Sequence, residues 1–312
     1  MNVDGDISAK FSNMGFVCVC LVVMMHVHCP WEGGGINRLA VPFFFAMAGY
    51  FLSRHIDERG WYGSELRKRI RTLLVPLFAW CIIWALVTVP LAIVLNIRAG
   101  RAITSNLLTG WRALRYFALD ITNTPALGPL WYVRCLFLFV VISPLIVWMI
   151  RRIGVLALFV FGSLYCAHFG NGLMDRFLSF GFSLEGLFYF SAGLFLGMKH
   201  VPLRISPFVG TLLLGVGLLF YWLGWAETSI PLMIIGLWGL MPTRRFPRVL
   251  VANTFPVYLM HMFVLLLFGT ARISSPMVAV GIGMLAVALS VAIAEAMRRG
   301  SPVAVRILYG GR

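Results

Sequence analysis

The chain has 312 residues, of which 60% are hydrophobic and 12% charged. A soluble domain of this length carries roughly 25% charged residues, so that class is excluded, and apolar runs without period-two alternation exclude a closed strand barrel. The net charge of +15 does not describe a nucleic-acid surface, because Lys and Arg fall at the ends of apolar runs, where they set topology and meet lipid headgroups.

A span needs about 20 apolar residues, fewer where neighbours cover its ends. On that measure the fold is all-α, a polytopic transmembrane helical bundle of about ten spans. They are expected near 14–30, 39–53, 72–95, 130–150, 153–168, 184–198, 207–224, 228–241, 252–269 and 276–297. The whole chain, 1–312, reads as one membrane domain, with 1–13 a cytoplasmic N-terminal segment and 298–312 a cytoplasmic tail. With the N-terminus inside, the inner connections carry 18 of the 26 Lys and Arg residues. The positive-inside rule then puts both termini in the cytoplasm. The first run lacks a basic leader and a small-residue cleavage site, so it is expected to remain as a span.

Ionisable groups at membrane depth are costly and mark candidate sites. The first is His26, near the end of the first span in Met24-Met25-His26-Val27-His28-Cys29-Pro30. Two readings fit it: a general base with a pKa suited to accept a hydroxyl proton, or a histidine bonded to a neighbouring helix. His26 and His28 point about 200° apart on a helix, so with Cys29 they make a poor metal site. Glu32, just beyond the span, is a candidate to orient either ring. The cytoplasmic run Arg67-Lys68-Arg69-Ile70-Arg71 opens the third span. It suits the phosphates of an acyl-coenzyme A, which guanidinium forks match, or anionic lipid. The long external connection, about 96–129, holds Trp111, Arg112, Arg115, Tyr116 and Asp120.

Arg134 and Glu185 lie near the outer ends of the fourth and sixth spans, where each alone in lipid is expensive and a pair is favoured. That pair either is structural or lines a cavity for an acceptor. His261, in Val257-Tyr258-Leu259-Met260-His261, lines the same cavity or bonds a neighbour. Glu295, near the inner end of the last span, reads as structural. The six cysteines show no Cys-x-x-Cys pair, so neither a disulfide framework nor a zinc site is indicated. No Gly-x-Ser-x-Gly elbow and no Walker loop occurs.

These motifs, in order and across nearly the whole chain, resemble the acyltransferase-3 family of bacterial multipass membrane proteins. The resemblance rests on His26, on Val41-Pro42-Phe43-Phe44-Phe45-Ala46-Met47-Ala48-Gly49-Tyr50, and on Arg67 to Arg71 leading into Leu74-Val75-Pro76. It rests also on Leu130-Trp131-Tyr132-Val133-Arg134 and Phe255-Pro256-Val257-Tyr258-Leu259-Met260-His261. It implies transfer of an acetyl or other short acyl group from cytoplasmic acyl-coenzyme A to a hydroxyl of a cell-surface polysaccharide or lipid-linked sugar. By the same resemblance the protein sits in the bacterial inner membrane and His26 is the essential histidine. Arg67, Arg69 and Arg71 would hold the donor, a substrate and not a permanently bound cofactor. Arg134, Glu185 and His261 are the candidates for binding the acceptor.

Two positions depart from the family pattern. Gly15 stands eleven residues before His26, where the family has Arg or Lys, and Ala48 replaces a common Ser. A small-solute transporter and a catalytically inactive relative are the alternative readings.

Overall fold

The computed structural model describes residues 3–27, 33–98, 129–168, 183–268 and 275–311, and every regular element among them is helical. His28 and Glu32, and Trp111, Arg112, Arg115, Tyr116 and Asp120 of the expected external connection, lie outside the described residues. Two compact units are formed, one from 1–58 and 185–302, the other from 59–184 and 303–311.

In the first unit, α1 (Val3–Met25) is continuous. It starts well before the expected 14. Asn13 is fully buried. Its amide donates to the carbonyls of Pro242 and Arg244 at 3.0 and 2.9 Å and accepts from the Phe246 N–H at 2.8 Å. With its bonds made inside the protein, Asn13 does not interrupt an apolar helix. Two residues earlier, Phe11 packs on Tyr50, Phe51 and Trp238 at centroid distances of 4.8, 5.0 and 4.7 Å. A 3-10 segment (Gly33–Leu39) leads into α2 (Ala40–Leu52).

Helix α2 lies against α7 (Leu184–Met198) at backbone distance. A Cβ on Gly193 would strike the Ala46 carbonyl, and one on Gly49 would lie 2.9 Å from the Leu194 nitrogen. Gly193 and Gly197 are four residues apart on one face, the small-xxx-small spacing that lets membrane helices approach closely. A hairpin of α8 (Pro207–Trp222) and α9 (Ala226–Leu240) closes in the same way through Gly210 and Gly236. A short turn, α10 (Arg248–Val251), precedes α11 (Thr254–Leu266) and α12 (Pro276–Gly300). The residue before α11 and the last turns of α12 are tied together. Glu295 accepts from Asn253 at 2.7 Å and from Arg298 at 2.6 Å, and Arg298 also donates to the Ala252 carbonyl at 2.7 Å.

In the second unit, α3 (Trp61–Arg69) occupies what the sequence suggested was only a connection. It runs through a π-helical turn (Ile70–Leu74) into α4 (Val75–Arg98). Pro76 has no N–H for the Thr72 carbonyl four residues back, which loosens the α-ladder there. The freed backbone is covered by the chain end. Gly310, at φ 66°, packs directly on Thr72, and Trp80 donates to the Leu308 carbonyl at 2.9 Å. The unit is completed by α5 (Leu130–Ile153), α6 (Leu156–His168) and α13 (Pro302–Tyr309), the last inside the expected tail. Tyr62 ties α3 to α5 by donating to the Val141 carbonyl at 3.0 Å.

Among the described residues, four helices are long and apolar enough to cross a membrane: Gly5–Met25, Gly35–Leu52, Leu130–Ile153 and Pro276–Gly300. Five more are apolar but shorter, at 10–17 residues.

Candidate functional site

His26 sits one residue past the end of α1, on a turn closed by its own N–H to the Val23 carbonyl at 3.1 Å. The α-helical ladder ends at Met25. The turn leaves the ring half-buried. It faces the ring of His261 on α11, with centroids 5.1 Å apart and planes inclined by 36°. His261 is fully buried. Its Nδ1 donates to the Tyr258 carbonyl at 2.7 Å, with a second, longer approach to Val257 at 3.3 Å. Two histidines 235 positions apart in sequence, His26 and His261, thus form the cluster of the first unit.

Glu185 belongs to the same unit, half-buried in the first turn of α7. An acidic side chain at a helix N-terminus is favoured by the helix dipole. Arg134, half-buried in the first turns of α5, belongs to the second unit, as does the basic run on α3.

The basic run divides into two faces. Arg69 reaches back one turn to Glu65, with Nη2 and Nε both 2.6 Å from the same carboxylate oxygen. The side chains of that pair are 15% and 4% exposed. Lys68 adds a longer contact to the other oxygen at 3.4 Å. Arg67 and Arg71, one turn apart on the other face, are both exposed. The expected trio is therefore a pair available to a ligand and a third arginine committed to the protein. Sequence reasoning missed Glu65, although Glu-x-x-x-Arg at 65 and 69 is the spacing that joins side chains on a helix.

A Cβ on Gly15 would meet Thr254 and Phe44 at 3.8 and 3.9 Å, ordinary van der Waals contact. Lys10, the nearest basic residue, leaves α1 about 140° round from Gly15. It donates to the Trp238 carbonyl at 3.3 Å and lies over the Trp238 ring. It lines a cavity of about 390 Å³ with Asp6, Arg204, Ser206 and Thr243.

Comparison with known proteins brings these features together. The sequence profile of acyltransferase 3, described as an acyltransferase domain, matches residues 16–295. The chain belongs to the acyltransferase 3 family. The match takes in His26, the Arg67 to Arg71 run, Arg134, Glu185 and His261. The chain is also similar to the succinoglycan biosynthesis protein ExoH of Rhizobium meliloti (strain 1021), with 24% identity over 355 aligned positions covering 99% of this chain and 94% of the relative. No solved structure matches. Membership in the family, together with the apolar helices, makes this an acyltransferase-type integral membrane protein.

Proposed function

We propose that this protein is an O-acyltransferase of the bacterial cytoplasmic membrane. It moves an acetyl or other short acyl group from cytoplasmic acyl-coenzyme A to a hydroxyl of a cell-surface polysaccharide or lipid-linked sugar. In this reading about ten spans cross the bilayer and both termini are cytoplasmic, as the distribution of Lys and Arg favours. The similarity to a succinoglycan biosynthesis protein supports a glycan as acceptor.

The observation that carries the reading is His26 itself: an imidazole at the end of an apolar helix, half-buried and beside a second buried imidazole, in a chain of an acyltransferase family. An ionisable ring is retained at such a place when it has work to do. His26 takes the proton from the acceptor hydroxyl as its oxygen attacks the thioester carbonyl. The tetrahedral intermediate collapses, the carbon–sulfur bond breaks, and the proton passes to the departing coenzyme A thiolate. The products are the O-acyl ester and the free thiol. Arg67 and Arg71 bind the phosphates of the donor by charge-assisted hydrogen bonds. Arg69 is bound to Glu65. Arg134 and Glu185 meet acceptor hydroxyls.

The test uses purified full-length protein in nanodiscs with acetyl-labelled acetyl-coenzyme A, alongside acyl analysis of surface glycans from cells with and without the gene. Label passing to glycan, and glycan acyl groups lost with the gene, support the proposal. Intact thioester and unchanged glycans overturn it, and solute uptake by vesicles without thioester loss would establish a transporter instead.

A further inference from the structure

His261 has more to explain than a packing role requires. Its Nδ1 faces two carbonyl oxygens, at 2.7 and 3.3 Å. Carbonyl oxygens only accept, so Nδ1 carries a hydrogen, and in the neutral ring the lone pair is then on Nε2. That Nε2 is buried and has no hydrogen-bond partner among the described residues. An acceptor left dry costs about 1–3 kcal/mol. A position that had only to fill space would be served better by an apolar side chain. Among the described residues, a group beside it that can supply an N–H is the ring of His26, 5.1 Å away between centroids. An N–H···N contact of about 3 Å fits within that separation. His26 sits on a turn and not within a helix.

We propose that His261 is a positioning residue for His26: its Nε2 accepts the ring N–H of His26 and so fixes which nitrogen of His26 is left bare to take the hydroxyl proton. This rests on the reading of His26 as the base. The His261 ring is closed to solvent, so it acts through His26 and does not itself meet the acceptor. The chain of contacts runs from the Tyr258 carbonyl through the His261 ring to His26. Each member orients the next, as the buried partner of a catalytic histidine selects its tautomer. During the reaction His26 gains the hydroxyl proton on its bare nitrogen while the other N–H stays bonded to His261. After thiolate protonation the original state returns.

The first arm of the test reads tautomers by long-range 1H–15N spectra of histidine-labelled full-length protein in nanodiscs, with the His26 signals assigned from His26→Asn. The wild type is expected to show His261 protonated on Nδ1 and His26 as one tautomer. His261→Phe is expected to give two His26 tautomers. His261→Gln, whose amide oxygen can accept the same N–H, is expected to keep one. The second arm measures thiol release from acetyl-coenzyme A with cellotetraose as the hydroxyl probe. His261→Phe is expected to lower kcat about tenfold to a hundredfold, part of what a general base contributes, with both KM values unchanged and most of the rate restored in His261→Gln. In a His26→Ala background His261→Phe should have no further effect, because the two act as a unit.

An unaltered His26 tautomer in His261→Phe would overturn the proposal, as would a raised acceptor KM with kcat intact. Should His261→Phe fail to fold, the wild-type spectrum decides: His261 protonated on Nε2, or His26 as an equal mixture, refutes the pairing. If the wild type releases no thiol, the acyl-transfer reading fails while the tautomer arm still judges the contact.

Discussion

Replacing Glu65 by alanine removes the carboxylate that holds Arg69 at 2.6 Å through two guanidinium nitrogens. An exposed i,i+4 pair contributes about 0.3–0.5 kcal/mol. This pair is not exposed, with side chains 15% and 4% accessible. Breaking a buried pair by deleting one partner costs about 3–5 kcal/mol, because the other charge is stranded. Arg69 retains a path to water along its stem, so the lower end, about 3 kcal/mol, is expected. The assay is reversible unfolding by SDS in mixed micelles, followed through tryptophan fluorescence. A loss near that of a surface pair, about 0.5 kcal/mol or less, would refute the reasoning. The double replacement Glu65→Leu with Arg69→Met removes both charges and should be nearly neutral. It should also leave the acetyl-coenzyme A KM unchanged, since Arg69 is turned toward the protein. Arg67→Ala or Arg71→Ala should raise that KM about tenfold, the loss of one charge-assisted hydrogen bond of about 1.5 kcal/mol.

Further outcomes follow from other parts of the molecule. His26→Ala should reduce thiol release from acetyl-coenzyme A by at least about 100-fold with membrane insertion intact; near-normal turnover would remove His26 from the mechanism. Gly193→Leu drives a side chain into the Ala46 backbone and should cost about 1–3 kcal/mol as an overpacked contact, seen as a lower melting temperature in detergent. Asn13→Leu strands the Phe246 N–H and the carbonyls of Pro242 and Arg244. It should cost about 1–3 kcal/mol and speed amide exchange at Phe246.

Much of the helical plan is legible in composition because lipid forces it. Backbone groups in an apolar solvent must be bonded within their own segment, so an apolar run of sufficient length declares a helix without reference to its neighbours. The run at 184–198 appears unchanged as α7, and that at 276–297 differs from α12 by three residues. His26 was legible for the same reason: an ionisable ring at such a depth is conspicuous. Long-range partners were not legible. The carbonyls that satisfy Asn13 lie more than 225 positions away. The helix α3 hides in a polar stretch whose stability comes from a Glu65–Arg69 bond and from Tyr62 reaching α5.

What the amino-acid order determined alone, therefore, was the helical class, the family motifs and the histidine on which the chemistry is proposed to turn. Tertiary structure decided which groups face which. It brought His26 beside His261 and took Arg69 away from Arg67 and Arg71. The physical reason is range. Solvation and backbone bonding act on each segment locally, whereas the orientation of a ring or a guanidinium is set by whichever distant side chain the packing brings within about 3 Å.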